Sequence, residues 1–100
     1  MVIRIVHMRF TEAGVNRFLD LFSRNLNAIR HSSGCEHLEL LKDAADPLHY
    51  TTLSHWDSEH SLEKYRQSAL FKDVWGQVKP LFSGPSRAYS MEKFLAADHK

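Results

Sequence analysis

One cysteine, three prolines and four scattered glycines are all that this chain of 100 residues holds of each type. Each scarcity closes off a class of protein. Cys35 has no second thiol to pair with, so no disulfide framework holds the fold, and a reducing, cytoplasmic setting is expected. Isolated glycines build no phosphate-cradling loop, and no serine sits in a nucleophile-elbow pattern. Charge of one sign is lacking too. Thirteen Lys and Arg are interspersed with twelve Asp and Glu for a net charge of +1, which leaves no electrostatic footprint for nucleic acid or an anionic membrane. No apolar run approaches the length of a bilayer span, and the opening "MVIRIVHMRF" carries charges that a signal peptide's core would not. Without repeats, linkers or low-complexity stretches, residues 1–100 are expected to form a single domain.

What is present is periodicity. "VIRIVHMRF" alternates, with Ile3, Ile5 and His7 on one side and Val2, Val6, Met8 and Phe10 on the other. Apolar residues on both sides predict a strand covered on both faces. Thr11 is placed to cap the helix that follows, in which Val15, Phe18, Leu19, Phe22, Leu26 and Ile29 recur at helical spacing. "HSSG" stops it, with Gly34 suited to a left-handed turn. "CEHLELLK" and "LHYTTLSHW" read as a hairpin of strands joined through "DAADP", and the first of them puts Cys35 and His37 on one face. Asp57 or Ser58 caps a second helix, a further helical segment runs from Ala69, and Pro80 with "SGPS" ends it. "RAYSMEKFL" alternates as a last strand, and "AADHK" is a short polar tail.

The order β-α-β-β-α-β is the split pattern of α+β ferredoxin-like folds, an antiparallel sheet with helices on one face. With apolar side chains on both faces of the first strand, the second face needs a cover, and a homodimer packing sheet on sheet supplies it. Val6 is expected at the centre of that interface, extended by Tyr89, Met91 and Leu95.

"GCEHLEL" after the first helix, and "HWDSEHSLEKYRQSALFKDV" across the third strand and second helix, resemble the antibiotic biosynthesis monooxygenase superfamily of dimeric α+β barrels. The resemblance runs over essentially the whole chain. It implies a cofactor-free monooxygenase working on a small aromatic or quinol-type substrate, with neither metal nor flavin. The superfamily also holds haem-degrading enzymes and an isomerase. Trp56 matches the tryptophan that such monooxygenases place at their pocket, while Thr52 stands where an asparagine is expected four residues earlier. Tyr65 occupies space similar to their helix tyrosine. In the haem-degrading branch, the corresponding positions are His7, Tyr65 and Trp75. Trp75 thus replaces the histidine that ligates iron, so coordinated haem is not expected.

Cofactor-free oxygenation needs an ionised phenol, donors that hold its oxygen, and a dry aromatic slot. A histidine is the natural base near neutral pH. On this reasoning His7, Trp56 and Tyr65 are the candidate catalytic residues, and Tyr50, Thr52, Phe71 and Trp75 the candidate substrate contacts. His7, Trp56, Tyr65, Phe71 and Trp75 are expected to project between the sheet and the second helix, and Tyr50, Thr52 and Trp56 share a strand face. For Phe71 and Trp75 plain core packing competes with a pocket role, since their spacing is that of any core-facing stripe. His55 and His60 do not have a zinc spacing, and no metal site is expected. The alternative function is a non-catalytic dimer that binds a small apolar molecule.

Overall fold

In the computed structural model, which describes residues 1–98, strand β1 (Val2–Arg9) takes the centre of a four-stranded sheet. Helix α1 (Glu12–Arg30) follows directly, because the Thr11 hydroxyl accepts the Gly14 N–H at 3.0 Å and closes the first turn. Phe18, Leu21, Phe22 and Ile29 form its buried stripe, and each side chain removed from water contributes about 1.5–3 kcal/mol. His31 caps the C-terminus, and Gly34 turns the chain with φ +85° into β2 (Cys35–Lys42).

β3 (His49–Trp56) leads through Ser58, whose hydroxyl accepts the Ser61 N–H at 3.1 Å, into α2 (Glu59–Arg66). Ser68 caps α3 (Ala69–Val78) in the same way, through the Phe71 N–H. A 3-10 turn at Lys79–Leu81 ends the helical layer, and β4 (Arg87–Met91) completes the sheet. This last strand is shorter than the alternating sequence suggests. Of the polar tail, His99 and Lys100 lie outside the described residues.

The strands lie in the order β2-β3-β1-β4, every neighbouring pair antiparallel. That is the ferredoxin-like arrangement, with all helices on one face of an open sheet. Met8, Phe10, Phe18, Tyr50, Val74 and Val78 are buried in the main core between sheet and helices. Val2, Cys35, Trp56 and Leu62 form a second, smaller cluster.

Two expectations about faces need correction. Val6 stands with Val2, Arg4, Met8 and Phe10 on the helix-covered side of β1, so it is not at the centre of the bare face. The bare face carries Ile3, Ile5 and His7, with Leu53 opposite Ile5 on β3 and Tyr89 opposite it on β4. Leu95 falls beyond β4 and is exposed. In β2 a register shift between Cys35 and His37 sets Cys35 opposite Trp56 and His37 opposite His55. Cys35 is thereby buried in the smaller core, while His37 joins the outer face against His55, with ring centroids 5.0 Å apart.

Candidate active site

Between the helix-facing side of the sheet and the helices lies a cavity of about 260 Å3. Its floor is read directly from strand register. Ser54 of β3 pairs with Arg4 of β1, Thr52 with Val6, and Ala88 of β4 with Val6 from the other side. The walls are Phe18, Phe22 and Ile29 from α1, Leu62, Tyr65 and Arg66 from α2, and Phe71, Val74 and Trp75 from α3. Aromatic rings dominate one side: Phe71 stacks on Trp75 at 5.8 Å, and Tyr65 meets the Phe71 ring edge-on at 5.2 Å.

Thr52, Tyr65, Phe71 and Trp75 are thus brought together around one space. Trp56 stands directly behind them. It is 1% exposed, its ring stacks on Tyr65 at 4.9 Å, and its indole N–H donates to the Ser54 hydroxyl at 2.9 Å. Ser54 is itself buried. Having accepted from Trp56, its hydroxyl has its own proton to give, and Ser54 is among the residues that line the cavity. Tyr50 belongs to the core proper, packed against Phe10 and Phe18 and away from the lining.

His7 is not where the sequence suggested. Side chains alternate across a strand, and Val6 and Met8 take the cavity side, so His7 projects from the bare face. There its Nδ1 lies 2.9 Å from the Thr51 hydroxyl and 3.2 Å from His49 Nε2, while His49 Nδ1 lies 3.3 Å from Asp43.

The electrostatics of the cavity are set by three groups. Burial pushes the Tyr65 phenol up to about 12, with Cys35 adding a smaller effect, so Tyr65 is a neutral donor at physiological pH. Burial also pulls Arg4 below the usual arginine range, the like charge of Arg66 pulls it further, and Glu63 opposes both. Arg4 donates to the Ser90 hydroxyl at 2.9 Å, whereas Arg66 at the rim pairs with Glu63 at 3.1 Å. No histidine or carboxylate lines the cavity among the described residues. Burial raises the Cys35 thiol as well, which makes it a poor nucleophile. Among the described residues no group of three or more His, Cys, Asp or Glu is arranged to hold a metal ion.

Among the polar lining residues, Arg4, Ser54 and Arg66 escaped the sequence reading, as did Ser86 in the loop before β4. A signal existed for the first two. Arg4 shares the parity of Val2, Val6 and Met8, and Ser54 lies midway between Thr52 and Trp56 on one strand face. Arg66 carried none, since the end of an exposed helix commonly bears a basic residue.

The fold has close counterparts among solved structures. An antibiotic biosynthesis monooxygenase superposes with a TM-score of 0.89 at 16% identity, covering 95% of this chain and 100% of its own. A conserved protein from Methanosarcina mazei gives 0.87 at 20% identity, with 94% of each chain covered. A Deinococcus radiodurans protein proposed to be such a monooxygenase gives 0.88 at 18%, over 100% of this chain and 99% of that one. No curated protein matches the chain. The sequence profile described as antibiotic biosynthesis monooxygenase matches residues 1–75, which span β1 through most of α3 and hold nearly all of the cavity lining. By that match the chain belongs to the antibiotic biosynthesis monooxygenase family.

Proposed function

We propose that this chain is a cofactor-independent monooxygenase for a small aromatic or quinol-type molecule, acting as a single-domain cytoplasmic homodimer. The observation that carries the reading is the cavity itself, an aromatic slot with a neutral Tyr65 phenol and a Ser54 hydroxyl oriented by Trp56, within a family of this description.

The chemistry follows from what these groups can do. A phenolic substrate lies with its ring against Phe71 and Trp75. Its oxygen accepts from Tyr65 and Ser54, whose hydrogen bonds strengthen as the oxygen becomes anionic. Arg4 and Arg66 favour the ionised form further, and the proton leaves to solvent at the Arg66 rim. The phenolate gives an electron to dioxygen, and the two radicals combine at the ring carbon para to the oxygen. Loss of water then leaves a quinone. One dioxygen atom becomes the new carbonyl; the other departs as water with the phenolic and ring hydrogens. The substrate supplies all the electrons, so no external reductant enters. Trp56 holds Ser54 and Tyr65 in place; it is a positioning residue.

The homodimer rests on the bare sheet face. Ile3, Ile5 and Leu53 stand there beside Leu41, Tyr89 and Met91, and the last three are large apolar side chains left exposed on one chain. His7 and His49 lie at the edge of this patch, which gives them a place in the dimer contact.

Oxygen uptake by the pure protein with a panel of phenols and hydroquinones tests the activity. Uptake above buffer, reduced at least about ten-fold by Ser54→Ala, is expected from the loss of one oxyanion donor. No uptake across the panel, combined with saturable quenching of Trp56 and Trp75 fluorescence, would instead establish the non-catalytic binding protein. The lack of a histidine or carboxylate among the described lining residues, and the threonine at position 52, favour that second reading.

A further inference from the structure

The cavity is apolar almost throughout, yet two cations and no anion line it among the described residues. Arg4 is the unusual one. It stands in the sheet floor between Ser54 and Ser90, half-buried, and its side-chain partner is a neutral hydroxyl at 2.9 Å. Among the described residues no carboxylate lies within ion-pair distance of it. Arg66 approaches the same space from the end of α2, with Glu63 sharing its charge. A fold gains nothing by directing two like charges into one partly dry slot, since desolvation and mutual repulsion both oppose it. The arrangement becomes favourable once an anion sits between them. A guanidinium with free N–H groups, beside a serine hydroxyl, matches the planar two-oxygen face of a carboxylate.

We propose that the cavity selects an aromatic carboxylate, with the acid group held by Arg4 and Arg66 and the ring against Tyr65, Phe71 and Trp75. This rests on the reading of the cavity as the substrate site, and it narrows that substrate to an aromatic acid. Neutral phenols of the same shape enter the slot but forgo the charge-assisted hydrogen bonds. Arg4 contributes more than Arg66, because Glu63 already offsets the latter's charge.

The test is a matched pair, 3,5-dihydroxybenzoate and 3,5-dihydroxybenzamide, whose ring carbons para to the hydroxyls carry hydrogen, titrated calorimetrically into the full chain at neutral pH and low salt. Their rings are identical and only the charge differs. The acid is expected to bind about 10- to 100-fold more tightly, the range of one or two hydrogen bonds to a charged group. Arg4→Gln should erase most of that preference, weakening the acid far more than the amide. Arg66→Gln, at an exposed helix end where folding is not at stake, should narrow it by a smaller factor and weaken its salt dependence. Equal affinities for acid and amide, binding of neither, or a preference that survives Arg66→Gln and the double variant would each overturn the proposal. Oxygen uptake measured on the same samples separates the two claims. An acid preference without uptake retains the acid site and removes the monooxygenase, whereas uptake at equal efficiency with acid and amide does the reverse.

Discussion

Replacing Ile5 by aspartate distinguishes the two faces of the sheet by a single position. Ile5 sits mid-sheet on the bare face, between Leu53 and Tyr89, while its neighbour Val6 lines the cavity on the opposite face. In an isolated protomer, Ile5→Asp costs about 1 kcal/mol, the scale of strand preference and partial burial at a half-exposed site. In a two-fold dimer closed over that face, each protomer contributes one uncompensated buried carboxylate. At about 3 kcal/mol apiece the penalty is about 6 kcal/mol, or roughly four decades in dissociation constant. A submicromolar dimer would therefore become a monomer at micromolar concentration while staying folded. Val6→Asp should behave in the opposite way. It lodges a charge in the covered layer, lowers the melting temperature by about 10 °C, and leaves the folded fraction dimeric. Size-exclusion chromatography with light scattering, alongside circular dichroism melts, reads both. A wild-type protein at the mass of one chain, or an Ile5→Asp variant that stays dimeric with an unchanged melt, would refute the reasoning.

Gly34 is the second position where a small change should be costly. Its φ of +85° disfavours any side chain, and a Cβ there would collide with Ser61 and Asp57 at the start of α2. Gly34→Ala should lower stability by about 2 kcal/mol or more in chemical denaturation, and an unchanged midpoint would contradict the turn geometry. The raised Tyr65 phenol makes a prediction about alkaline pH. Its unfolded value is 10.0 and its folded value about 12, so stability is intact below pH 10 and falls as pH climbs to about 12. The wild-type melting temperature should drop more steeply across that window than that of Tyr65→Phe, and ultraviolet difference titration should show a late tyrosine phase that the variant lacks. Parallel pH profiles for the two proteins would show that the phenol is not desolvated.

Much of the architecture was legible in the residues because it is decided locally. Thr11 and Ser58 cap helices through bonds three residues long, Gly34 answers a backbone angle, and the bounds of β2 coincide with "CEHLELLK". The aromatic lining at Phe71 and Trp75 was visible for a related reason, since i, i+4 spacing puts them on one face of α3, and Tyr65 joins them from α2 through the packing of the two helices. What local pattern cannot decide is which face of β1 the helices take. Alternation separates Val6 from His7 but assigns neither to the inside; that choice comes from pairing β1 between β3 and β4 and from the packing of α1 and α3 over one side. The same holds for the extra residue between Cys35 and His37, which parts two side chains that strict alternation would keep together. Arg4 and Arg66 show the limit most plainly. Each is unremarkable along the chain, on a strand and at a helix end. They line one cavity because folding brings the first strand under the end of the second helix, and charge acts through space.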